Sequence, residues 1–150
     1  MRLRQRILAT SAPAVVIIIR LVVGAVFLSE GIQKFLYPAD VGVGRFTKIG
    51  LPSPEMLAPF VGIVEIICGT LILVGLLTRL AAIPLIIDML VAISATKIPI
   101  LLKSGFWAMA HESRTDWSML LCSIFLLVVG AGAWSLDARI APISTERNGW

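Results

Sequence analysis

Among the ionisable side chains in or beside long apolar runs of this sequence are Glu30, Lys34, Glu65, Lys97, His111 and Asp116. A charge at mid-bilayer costs from about 3 to more than about 10 kcal/mol, so such residues must face a partner, water or a ligand. Carboxylic acids in apolar surroundings are suited to exchanging protons. Glu30, Glu65 and Asp116 are therefore candidates for proton handling. Lys34, with Arg20 deeper in the same run, would stabilise an anionic form of a bound molecule. The lone histidine cannot make a two-histidine haem site, and no metal site is expected. No cofactor-binding motif is recognisable.

Four apolar blocks must position these groups. Block one runs over 13–37, block two over 54–77, block three over 79–102 and block four over 115–135. Each is long enough to span a bilayer as a helix. Loop one, Pro38 to Ser53, is rich in Gly and Pro, and Pro54 opens block two, where its missing N–H would be unpaired anyway. The short turn Leu77-Thr78-Arg79 makes blocks two and three an antiparallel hairpin. Pro84 is expected to kink block three and Pro99 to end it. Residues 103–114 read as a loop lying along the membrane interface, which suits Phe106 and Trp107.

Composition supports this class. The chain of 150 residues is 58% hydrophobic and 15% charged, with mean hydropathy +0.96, against about 45–50% and about 25% for soluble domains. The net charge of +4 comes from basic residues spread over termini and helix ends, the pattern of topology signals rather than of a nucleic-acid surface. The reading is an all-α, integral membrane four-helix bundle forming one domain over 1–150. Residues 1–12 form a basic segment leading into an uncleaved first helix, and 136–150 form a polar tail. Four spans put both termini on one side, and the arginine bias places that side in the cytoplasm. This implies a multi-pass protein of the inner (cytoplasmic) membrane. Cys68 and Cys122 fall about 10 Å apart along the membrane normal by helix rise, too far for an unstrained disulfide.

Depth counting sorts the charges into two groups. Arg20 lies about seven residues into block one, and Asp88 about nine into block three from the same side. The two are expected to form a structural ion pair. Glu30, Lys34, Glu65, Lys97 and Asp116, with His111 nearby, collect in the opposite half, where they outline a ligand pocket. Glu30 and Lys34 are one helical turn apart and can pair. Small residues recur at helical spacing, Gly24 and Gly31 in block one and Gly62 and Gly69 in block two, which lets helix backbones approach closely.

Three stretches carry a family resemblance: RLVVGAVFLSEGIQKF, then FTKIGLPSPEMLAPFVGIVEIICGTLILVGLLTRLAAIPL, and GAGAWSLDARI. Together they resemble the DoxX family of small four-helix membrane proteins over about Arg20 to Ile140. The resemblance marks Arg20, Gly24, Glu30, Gly31 and Lys34, then Gly50, Pro52, Glu65, Gly69, Gly75 and Arg79, and finally Ser135, Leu136 and Asp137. Asp116 stands where relatives often carry glutamate, and Trp134 fills a variable place before Ser135. Some relatives are subunits of membrane redox systems, including a thiosulfate:quinone oxidoreductase and complexes linking thiol and superoxide defence. The resemblance therefore implies a membrane subunit of an oxidoreductase, with a pocket for a quinone or small molecule and a protein partner. The alternative is a non-catalytic scaffold or partner protein, whose polar network only fixes the bundle. A proton or small-solute carrier is the third reading; a single chain of four spans without an inverted repeat is small for it, and a homo-oligomer would change that. In every reading the lipid membrane is a partner and nucleic acid is not.

Overall fold

The structure, a computed structural model, describes residues 12–140 together with Leu8. The basic residues Arg2, Arg4 and Arg6, and the sequence after Ile140, lie outside the described residues. The described elements are all helical: α1 (Val16–Leu36), α2 (Val43–Lys48), α3 (Pro54–Val74), α4 (Thr78–Glu112), α5 (Arg114–Val129) and α6 (Leu136–Ile140). Among the described residues, α1, α3 and α4 are long and apolar enough to cross a membrane. Helix α5 has 16 residues, about 24 Å at a rise of ~1.5 Å each.

Helices α1 and α3 form the most extensively packed pair. Their contact is backbone on backbone, because glycines face each other. A Cβ built on Gly69 would lie 2.8 Å from Leu28 N and 3.0 Å from Gly24 O, and one on Gly31 would lie 2.7 Å from Gly62 O. Lipid offers no hydrophobic drive to associate, so this close approach supplies the dispersion contacts that hold the pair. Gly69→Leu is expected to cost about 1–3 kcal/mol through overpacking, measured as an earlier midpoint when the protein is titrated with SDS in detergent micelles. Phe27, Ile72, Leu85 and Leu126 are fully buried and fill the space between the helices.

The connections depart from the sequence expectation in three places. Loop one contains helix α2, whose Phe46 is buried. Pro99 does not end the third long helix; hydrogen bonding continues to Glu112, and the break comes at Gly105, with φ 82° and ψ 177°. That conformation is open to glycine and hardly to other residues. The expected interfacial loop is therefore mostly helix, joined to α5 through Ser113 alone. Residues 136–140 are not a polar tail: they form α6, and Asp137 is 1% exposed.

One end of the bundle is closed by a buried polar knot. Helix α3 stops at Gly75, whose φ of 69° lets Gly75 N–H donate to Ile72 O and Leu76 N–H to Leu71 O, the Schellman arrangement. Arg20, which is 2% exposed, adds a second donor to Ile72 O and takes carbonyls that the motif leaves open. Its Nε donates to Ile72 O at 2.9 Å and Nη2 to Leu73 O at 2.6 Å. Its Nη1 donates to Trp134 O at 2.6 Å and Ala131 O at 3.2 Å. The carboxylate of Asp137 opposes its charge and accepts from Leu77 N–H at 2.7 Å and Thr78 N–H at 3.0 Å. A cation thus sits on helix C-terminal carbonyls and an anion on the amides opening α4, each complementing the local helix dipole. Leu77 has φ 50°, a costly conformation for leucine that the Asp137 bond helps to hold. The expected Arg20–Asp88 ion pair is thereby corrected: the guanidinium turns to the helix ends, and Asp88 belongs to the other half of the bundle.

Candidate functional site

Away from the closed end the helices part around a cavity of about 570 Å³, within the ~300–1,000 Å³ range of small-molecule sites. Helix α1 lines it with Val26, Phe27, Glu30 and Lys34, and α3 with Leu57, Phe60, Val61, Val64 and Glu65. Helix α4 adds Pro84, Ile87, Asp88, Met89, Val91, Ala92 and Thr96, and α5 adds Thr115, Asp116 and Met119. Arg45 and Phe46 of α2 border it from the connection that follows α1. The walls are thus mostly apolar, with charge confined to a few places.

The more buried of the cavity's charges lie on three helices. Lys34 Nζ donates to Glu65 Oε2 at 2.5 Å, the two side chains being 8% and 4% exposed. Asp88 of α4 lines the same cavity, where it feels the charge of Lys34. One cation therefore faces two acids at the cavity wall. A second ion pair joins Lys97 Nζ to Asp116 Oδ2 at 2.8 Å and is more open. Glu30 is exposed where it lines the cavity. Lys34 does not take Glu30 as its ion-pair partner; the neighbouring helix supplies a better placed carboxylate.

Of the sequence candidates, Glu30, Lys34, Glu65 and Asp116 reach the cavity lining, and Lys97 joins it through Asp116. His111 does not: it is exposed near the end of α4, where Arg114 Nη1 lies 3.1 Å from its Nε2. Both cysteines are free thiols. Sequence reasoning missed Asp88 as a member of the cluster, and missed Arg45 and Phe46. The spacing of Val43 and Phe46, one turn apart and followed by an apolar run at Ile49 and Leu51, was the signal for a short helix with an inward face.

The arrangement can hold a molecule with an apolar body and a polar head. The walls take the body, while Lys34 can donate to an oxygen and the neighbouring acids can exchange a proton with it.

Residues 15–98 match the family model described as DoxX. The chain belongs to the DoxX family. The matched span includes Arg20, Lys34, Glu65 and Asp88 and stops before Asp116 and Asp137. Among relatives of the DoxX chain, the Mycobacterium tuberculosis protein named "Uncharacterized membrane protein Rv3486" is 56% identical over 146 residues, which covers 93% of this chain and 90% of that protein. A Bacillus subtilis protein named "Putative oxidoreductase CatD" is 31% identical over 121 residues, covering 81% of this chain and 83% of that protein. No solved structure matches the chain.

Proposed function

We propose that this DoxX-family protein is a four-span protein of the cytoplasmic membrane that serves as the membrane subunit of an oxidoreductase complex. Its cavity binds a quinone or a similar small molecule. Helix α5 is the fourth span, short by itself and extended by the turn over residues 130–135. The observation that carries the reading is the mostly apolar cavity with the Lys34, Glu65 and Asp88 side chains converging on its wall. Reduction of a quinone adds charge to an oxygen, and a buried ammonium with acids beside it suits both the charge and the proton. The oxidoreductase name of the Bacillus subtilis relative points the same way. Electrons come from a partner that oxidises a thiol or another sulfur donor.

The test is purification of the intact complex from native membranes in mild detergent, with organic extraction and mass spectrometry for bound quinone. Quinone reduction is then assayed with thiol and sulfide donors. Bound quinone and donor-dependent reduction are expected, both lost in Glu65→Leu. An intact complex with neither property overturns the reading.

A further inference from the structure

The cavity has an edge on the outside of the bundle. Phe60, which lines it from α3, is 62% exposed, and Ile87 and Val91, which line it from α4, are 57% and 46% exposed. Each also continues an outward apolar stripe at helical spacing. Met56, Phe60, Ile63 and Ile67 form the stripe on α3, and Ile83, Ile87 and Val91 form it on α4. A side chain that fronts both the cavity and the lipid stands at the rim of an opening. By helix rise, Val64 and Phe60 stand about 16 and 22 Å from Gly75, and Ile87 and Val91 about 14 and 20 Å from Thr78. The two rims are therefore level, and the slot between them lies within the depth of a hydrocarbon core of ~30 Å.

The other seams do not offer this route. Glycine contacts close α1 on α3, the Lys97–Asp116 pair ties α4 to α5, and the side between α1 and α5 presents Glu30, Thr115 and Asp116. A hydrocarbon chain passing those groups would strip water from them at a cost, whereas Phe60, Val64, Ile87 and Val91 meet it with carbon alone. The polar end of the cavity is at the same level as the slot: Glu65 lies about 15 Å from Gly75 by helix rise and holds Lys34. A volume of about 570 Å³ suits a ring and a short length of chain, so a longer chain has to leave the cavity.

We propose that the cavity takes a long-chain membrane amphiphile from within the bilayer, with its polar head against Lys34 and Glu65 and its chain passing out into lipid between α3 and α4. Phe60, Val64, Ile87 and Val91 are then the residues that select tailed, membrane-dissolved molecules over tailless, water-soluble ones. The quinone character of the head rests on the function proposed above; the route of the chain rests on the slot.

The test uses the full-length protein in lipid nanodiscs with two photoreactive probes, a long-chain quinone and a long-chain fatty alcohol. Each carries a diazirine on the chain close to the head. Mass spectrometry is expected to place quinone adducts on α3 over 60–64 and on α4 over 87–91, displaced by excess unmodified quinone. Displaceable adducts on α1 and α5 instead overturn the route. Val91→Trp narrows the slot from an exposed position and should lower the preference for a long-chain over a tailless quinone about tenfold, through overpacking against the chain. Ile63→Trp, on the lipid face of α3 and outside the cavity lining, should leave that preference unchanged. An unchanged preference in a normally folded Val91→Trp protein overturns the slot. Displaceable labelling of the slot by the alcohol, with none by the quinone, counts against the proposed function and leaves the route standing. No displaceable labelling by either probe overturns the proposal.

Discussion

Arg20→Met removes about 3–5 kcal/mol of stability, the cost of breaking one side of a buried charge arrangement, and leaves little folded protein in the membrane. The guanidinium satisfies four main-chain carbonyls drawn from two parts of the chain, Ile72 and Leu73 at the end of α3 and Ala131 and Trp134 before α6. Methionine fills comparable volume but donates nothing. Carbonyls at a site that is 2% exposed have poor access to water, and an unmet buried acceptor costs about 1–3 kcal/mol. Asp137 is left as a buried anion without the opposing charge of Arg20. Arg20→Lys should recover only part of the loss, since a single ammonium cannot span the carbonyls that the planar fork reaches together. The measurement is the SDS or guanidinium midpoint in micelles, read by circular dichroism. Asp137→Asn, combined with Arg20→Met in a double-mutant cycle, should lose less than the sum of the single variants because both act through one network. An Arg20→Met protein as stable as the native one would show that the closed end is not held by this residue. Gly75→Ala should weaken the same end, because a Cβ there lies 2.6 Å from the Arg20 guanidinium carbon and from Ser135 Cβ.

At the cavity, stability and function are expected to separate. Lys34→Met alone leaves Glu65, 4% exposed at its side chain, without its cation, and should destabilise by about 3–5 kcal/mol. The double variant Lys34→Met with Glu65→Leu replaces the pair by apolar groups of similar volume. Such replacements are often neutral or stabilising by about 1–4 kcal/mol, because two desolvated charges have been removed together. The double variant should therefore match or exceed the native midpoint, while bound quinone and donor-dependent reduction are lost. Unfolding midpoint and quinone content of the same preparation check both halves. If the double variant is stable and fully active, the Lys34–Glu65 pair is a packing device, and the scaffold reading of the family takes precedence.

Much of the architecture is legible in the residues alone, because in lipid a helix must satisfy its own backbone and the apolar stretches declare its length. The runs that became α1 and α3, the proline opening α3, and the short turn before α4 all follow from that constraint. The gathering of Glu30, Lys34, Glu65 and Asp116 in one half of the bundle also follows, since helix rise converts sequence number into depth. Depth, however, is one coordinate of three. It put Asp88 level with Arg20, and gave no means to see that the long arginine side chain reaches helix-end carbonyls while Asp88 lines the cavity with Glu65. The same limit applies to Asp137, which reads as part of a polar tail until the ends of α3 and α4 are set beside it.

The sequence by itself determined an all-helical membrane chain of the DoxX family and the charges it must conceal. Only the tertiary structure decided which charges meet. Backbone carbonyls and amides at helix ends carry partial charge but no sequence signature, so they become partners for Arg20 and Asp137 only once folding has aimed them. With Arg20 engaged at the closed end, Lys34 is the cation that meets Glu65 at the cavity wall.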